Sequence, residues 1–552
     1  MRLVLTAMAL ALLPAAAGSQ DAAPDAGKSP PTLPHKMCSG DDAVARTPEI
    51  LAGYGSGGFA VTTKVPAAQA FFDNGMQLGA AFAHKAAIAA FQEAVRLDPD
   101  CAMCLWGEAW ASGPTINYGI ESGEAAKLAE LLARAEKLPA TDTEHALIAA
   151  LKLRFPARYQ APAANLAFAR AMDAIAAAHP ADNALATLAA DAWMVAGGDQ
   201  KDFHASANRA LELLTGVLTR DPDYTPAIHF YIHATEWVKV PERATPYADK
   251  LAALAPKASH LVHMPSHTYY WIGRYQDAAD ANMKAVALGI DNARRLGMPQ
   301  PDGVWDLPYH AHNVHFGVGG AMMSGDAKTA LALSDPLVAR AATRGEASVF
   351  MQMVAGMGYF AEGRFAETAR VLALPEPKLP FVRAYWHYAR GEAQARLGNA
   401  AGVRAEAAAI PWTVSSKGDG AAIGSSLARI ARLVLTGRAA MLENQPAVAL
   451  KAFRQAAALQ ESVRLSDFSD PPLWWYPVRR SVAEALLVSG DAAGALGEAE
   501  ATLKLRPQDP MTLAVRARAQ AALGDAAAAA KDRAVALRTW RGDRRAFAAA
   551  EI

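Results

Sequence analysis

Runs of apolar and small residues recur in pairs along this chain from about position 65 to 540, and each pair reads as two helices joined by a short turn. In "FFDNGMQLGAAFAHKAAIAAFQEAVRLDPD", Gly75 falls in the first helix and Ala87 where the two helices cross. Phe91 and Ala94 follow, and Pro99 stops the second helix. Small residues let paired helices approach. Pro ends a helix because it has no N–H and restricts the residue before it. The design returns from Thr225 to about Ala258, from Ser259, and from about Ala311, with Ala244, Ala278 and Ala330 at the crossings. Later units include "GYFAEGRFAETARVLAL", "AAMLENQPAVALKAFRQAAAL" and "ALLVSGDAAGALGEAEATLKLRPQDP", and Gly363, Gly398, Gly490 and Gly524 mark turns between paired helices. An Ala-rich composition favours helix throughout.

These units resemble tetratricopeptide repeats, and the resemblance covers most of residues 65–540. It implies an all-α fold, a right-handed α-solenoid of helix–turn–helix repeats. The expected organisation is a signal peptide at 1–19, a Pro/Ala-rich linker at 20–64, an N-terminal array at 65–345 and a C-terminal array at 346–552. Two places depart from the repeat. "GGDQKDFHASANRA" gives one unit a long loop, and Gly289 to Tyr309 inserts a Pro/Gly-rich stretch placed to cap the groove. "PEPKLP" (375–380) reads as a joint between sub-arrays.

Eight of the fourteen histidines lie between 229 and 315, and they repeat in register: His229 and His233 recur 34 residues later as His263 and His267. The repeat family places the second, fifth, ninth and twelfth positions of each first helix along the concave groove. The resemblance therefore puts His229, His233 and Glu236 there from one unit, His260, His263 and His267 from the next, and His312 and His315 from the third, with His310 at the border. Residues four apart stand about 5–6 Å apart on one helix face, and packed helices lie about 8–10 Å apart. Imidazoles from neighbouring helices can thus meet at one metal, with nitrogens ~2 Å from it. The alternatives are a metal-free groove that binds a peptide or partner protein, and a pH-sensing array. Imidazole-dominated sets suit copper or zinc, and nearby sulfur from Met103, Met264, Met322 and the Cys pair puts copper first. If the site is catalytic, a copper-dependent redox reaction fits best. The wider pattern, "HFYIHATE" followed by "SHLVHMPSHTYYWIGRY" and "HNVHF", resembles a group of secreted bacterial repeat proteins.

Cys101 and Cys104 open a helix, where they form either a redox or thiolate-ligand pair or a local disulfide. Met103, Trp106 and Trp110 map onto groove positions, and Asn117 and Tyr118 sit in a loop that can cover a site. Trp474, Trp475 and Tyr476 read as packing between repeats. Arg2, the apolar stretch Leu3–Leu13 and Ala15–Ala17 form a secretory signal, with no Cys after it for a lipid anchor. The mature protein is therefore expected outside the cytosol, in a bacterial periplasm. Lys plus Arg and Asp plus Glu both number 54, so nothing points to nucleic acid, which requires a basic excess. No later stretch is long and apolar enough to span a membrane.

Overall fold

The computed structural model describes residues 48–197, 203–345, 347–414, 420–462 and 471–543. The signal segment, residues 20–47 of the linker with Cys38, and 198–202 of the long loop lie outside them. The described residues form an all-α solenoid of tetratricopeptide-like helix pairs. The helices of the first part are α1 (Pro66–Ala80), α2 (His84–Leu97), α3 (Ala102–Ala111), α4 (Ser122–Ala135), α5 (Asp142–Arg154), α6 (Ala161–Ala178), α7 (Asn183–Gly197) and α8 (Phe203–Arg220). The histidine-bearing units follow: α9 (Thr225–Trp237), α10 (Thr245–Leu254), α11 (Ser259–His263), α12 (Pro265–Trp271), α13 (Tyr275–Arg295), α14 (His310–Ser324) and α15 (Ala327–Thr343). Beyond them run α16 (Val349–Phe365), α17 (Thr368–Leu372), α18 (Pro380–Arg396), α19 (Ala400–Ala409), α20 (Ala421–Leu442) and α21 (Pro446–Gln460). The last are α22 (Arg479–Val488), α23 (Ala492–Leu505), α24 (Pro510–Ala522) and α25 (Ala526–Thr539).

Helices pack on their successors in the chain, and often on the helix after that. The crossing residues Ala87, Ala244, Ala278 and Ala330 are all fully buried, as close approach of paired backbones demands. Gly398, Gly490 and Gly524 turn with φ of 69°, 85° and 89°, in the left-handed region that favours glycine. Gly363 does not mark a turn. It lies inside α16, where an added Cβ would stand 2.9 Å from the backbone of Ala389, so its missing side chain serves packing. The stretch expected as an insertion from Gly289 is also partly helical. Its first residues extend α13 to Arg295, and the irregular part begins after that.

The chain winds back on itself. Residues 48–58 run from the first repeat to the histidine-bearing units: Leu51 pairs with Asn74, Lys257 N–H donates to the Gly53 carbonyl at 3.0 Å, and Ser56 N–H donates to Thr225 Oγ1 at 2.7 Å. At the other end Tyr275 donates to the Pro507 carbonyl at 3.0 Å, and Arg541 N–H to the Ser324 carbonyl at 2.8 Å. Trp474 packs edge-on against Phe360 and Tyr388, between repeats. A single apolar core runs from Tyr270 to Ala519 and includes residues on both sides of position 345.

Candidate metal centre

The short connection after α1 begins the site. Phe82 takes φ 57° in the turn to α2 and is buried. Its ring meets His229 at 4.4 Å and His260 at 5.0 Å between centroids. From α9 come His229, His233 and Glu236. The run from Ser259 is broken at Pro265, whose missing N–H interrupts the helix. It therefore splits into α11, with His260 and His263, and α12, with His267. His312 enters from the first turn of α14, beside Phe316 at 5.1 Å.

Two sets of three imidazoles result. His229, His233 and His260 bring ligand atoms within 4.8 Å of one another, and so do His263, His267 and His312. A third such group, His233, Glu236 and His267, straddles both. The nitrogens are oriented by fixed acceptors. His229 Nδ1 donates to the Ala80 carbonyl at 2.7 Å, leaving Nε2 to face His260 Nε2 at 3.1 Å. His263 Nδ1 donates to Asn282 Oδ1 at 2.7 Å. The Asn282 amide is itself held by donating to the Ala278 carbonyl at 2.8 Å. His267 Nδ1 donates to Glu236 Oε2 at 2.8 Å, and Nε2 of His263 and His267 stand 3.0 Å apart. Trp271 Nε1 donates to the other Glu236 oxygen at 2.6 Å. Glu236 thus accepts from two donors and orients His267, while it also belongs to the group with His233 and His267.

Burial decides the charge state. It is the main force that lowers His229 to about 3, with the Ala80 bond opposing it and the neighbouring imidazoles adding to it. Burial, then neighbouring imidazoles, holds His233, His260, His263 and His312 well below the ordinary range. These are neutral rings with lone pairs to give, the form that binds metal. Burial raises the Glu236 carboxyl, but His267 and Trp271 outweigh it and bring it below its usual range.

Other expected residues fall elsewhere. His310 lies against Trp305 and Gly289, and His315 is buried apart; neither joins a three-residue group. Burial lowers them to about 4 and about 3. Cys101 and Cys104 form a disulfide and are fully buried, so they offer no thiolate. Met103, Met264 and Met322 are packed in apolar cores, and the sulfur argument for copper loses its basis. Trp106 and Trp110 stack in the core of the first units, with Trp106 Nε1 donating to the Leu147 carbonyl. Asn117 and Tyr118 do reach the site's edge. Asn117 Nδ2 donates to the Tyr309 hydroxyl at 2.9 Å, and Tyr309 stacks on His260 at 4.4 Å; Tyr118 meets His84 at 5.6 Å.

Sequence reasoning missed Phe82, His84, Trp271 and Asn282. They belong to other units or helices than the histidine pairs they contact, and no periodicity reports such a meeting. His84 is lowered to about 4 by burial, and neither of its ring nitrogens has a partner. At most 7% of His229, His233, His260, His263 or His267 is exposed. His312 is partly exposed.

No family model and no curated protein matches the chain. Among solved structures, it is similar to a human IFIT1 dimer with m7Gppp-AAAA (13% identity over 87% of this chain and 91% of that one, TM-score 0.30). It is also similar to yeast Tom70 (12%, 83% and 89%, 0.29) and to the P58(IPK) TPR domain (12%, 83% and 98%, 0.21). At such TM-scores these likenesses carry no argument, and the repeat assignment rests on the helix pairs themselves.

Proposed function

We propose that the protein binds a first-row transition metal ion through His263, His267 and His312. The observation that carries this reading is the 3.0 Å approach of two Nε2 atoms whose rings have both committed Nδ1–H to acceptors. His263 has given its Nδ1–H to Asn282, so its Nε2 lone pair faces His267 Nε2, and a cation between the two, a metal ion or a proton on His267, would satisfy both. Metal–nitrogen bonds of about 2.0–2.1 Å bring two ligand nitrogens to such separations. A proton drawn onto His267 by Glu236 is the competing cation. It needs only two nitrogens, whereas this place has a third within 4.8 Å.

Imidazole donors suit copper or zinc, and we take copper first because a given site generally binds copper(II) more tightly than zinc. Three protein ligands leave a tetrahedral ion one open position, the arrangement of reactive ions more than of sealed structural ones. Redox chemistry at that position is the activity this reading allows for copper. The Cys101–Cys104 disulfide supports a location outside the cytosol. Among the described residues no helix is long and apolar enough to cross a membrane.

The test is elemental analysis of full-length protein, purified without added metal and then loaded with copper or zinc. Stoichiometric metal that resists dialysis is expected, and it should fall sharply in His263→Ala/His267→Ala. Protein that stays metal-free after loading overturns the reading.

A further inference from the structure

Resting on the reading above, we infer that the His229, His233 and His260 set holds a second transition metal ion, so that the centre is dinuclear. The second set shares the close approach of two Nε2 atoms, with one of the two rings rather than both committed at Nδ1. His229 Nε2 and His260 Nε2 approach to 3.1 Å, and His229 has already given its Nδ1–H to the Ala80 carbonyl. Its Nε2 is therefore a bare lone pair. His233 adds an independent sign: its Nε2 is buried and has no hydrogen-bond partner. A buried nitrogen without a partner costs on the order of 1–3 kcal/mol, and coordination removes that cost. The three ligand atoms lie within 4.8 Å of one another, close enough for small side-chain rotations to gather them on a single ion.

One ion cannot serve all six rings. The two close nitrogen pairs share no atom, and each already has the separation of two ligands on one metal. The sets nevertheless adjoin. His233 and His267 lie 5.2 Å apart between ring centroids, and His260 and His263 lie 5.7 Å apart. Rings within the sets span a range that includes these separations, from 4.8 Å for His263–His312 to 6.4 Å for His233–His260. Ions in the two sets are therefore near neighbours in one buried cluster.

The sets differ in support. Asn282 and Glu236 orient two rings of the first-named set, while in the second His229 has the Ala80 carbonyl as acceptor for its outer nitrogen and His260 Nδ1 is unpartnered. Orientation of the outer nitrogen strengthens metal ligation. The His263, His267 and His312 set fills first, and the other set binds more weakly.

Copper(II) titration of the chelator-stripped full chain tests this, with bound metal measured after desalting and paramagnetic resonance recorded at each addition. Two ions per chain are expected, with the isolated-ion signal rising to one equivalent and then being broadened or lost by coupling. His229→Ala/His260→Ala should keep one ion with an uncoupled signal. Binding that stops at one ion in the parent protein overturns the second site while leaving the first intact. Two ions without any magnetic coupling overturn the dinuclear arrangement. No bound ion overturns both this inference and the reading beneath it. The parent titration alone is decisive if the variant does not fold.

Discussion

His267 can offer only one nitrogen to a metal, and Glu236 determines which. With Nδ1 tied to the carboxylate at 2.8 Å, Nε2 is left to face His263. The Trp271 indole holds the far oxygen of Glu236 in turn, so the carboxylate cannot swing into the cluster without giving up a buried bond. Glu236→Gln keeps the shape and removes the charge that favours this tautomer. Changes to such orienting groups typically cost about 10–100-fold in metal affinity. We expect a loss in that range for Glu236→Gln, read by competition with a chromogenic chelator, and a loss of all binding would instead make Glu236 a direct ligand. Spacing puts Glu236 on the helix face it shares with His229 and His233. Its two hydrogen-bond donors come from another repeat, which spacing cannot report.

Elements bring the imidazoles into range. The α13–α14 pair carries Asn282 on one helix and His312 on the other, and it closes around Gly320, where an added Cβ would lie 2.7 Å from the Tyr275 carbonyl and 2.9 Å from Ala279 N. Backbone cannot yield as a side-chain tip can. Gly320→Ala should therefore lower unfolding stability by about 1–3 kcal/mol in a denaturant titration and weaken metal retention with it; unchanged stability means the helices tolerate separation. Elsewhere, Glu362 on α16 is fully buried, near Asp335 and paired with Arg370. Burial above all raises its carboxyl from 4.5 to about 7. Because the folded state holds this proton longer than the unfolded state, stability is greatest below about 4.5 and falls as pH rises towards 7. Thermal unfolding across that interval should show a fall that Glu362→Gln flattens, and equal slopes in the two proteins would remove Glu362 as its source. The helix pairs were legible in the sequence because small crossing residues and Pro stops are local requirements. Gly363 misled because a glycine in a tight helix crossing and one in a turn look alike until the neighbouring helix is known.

Across the whole molecule, the candidate centre joins parts of the chain that a simple repeat array would keep apart. Ala80 and Phe82 come from the first unit, His229 and His233 from α9, His260 to His267 from α11 and α12, and His312 from α14. An ion that binds only this folded arrangement stabilises it by mass action, about 2.7 kcal/mol at a hundredfold excess over Kd. Loaded protein should therefore unfold at a higher temperature than stripped protein. The increment should shrink in His263→Ala/His267→Ala, which keeps only the weaker set, and an identical increment in that variant would remove the stronger set as its source. The 34-residue echo revealed the middle of this arrangement. It did not reveal the winding that brings residue 80 against residue 229, since that depends on the summed curvature of every intervening repeat.

The hydrogen bond from His229 to the Ala80 carbonyl spans 149 residues, and this bears on the order of assembly. Repeats fold by contact with their neighbours, so the early units can form as soon as they are made. The pocket around the imidazoles cannot. It is complete only when the chain has been synthesised past Phe316, which brings in His312. A nascent chain halted before that point would carry well-formed helices and an unfinished cluster, so ribosome-bound fragments of increasing length should gain helix gradually but reach full metal retention only in a late step.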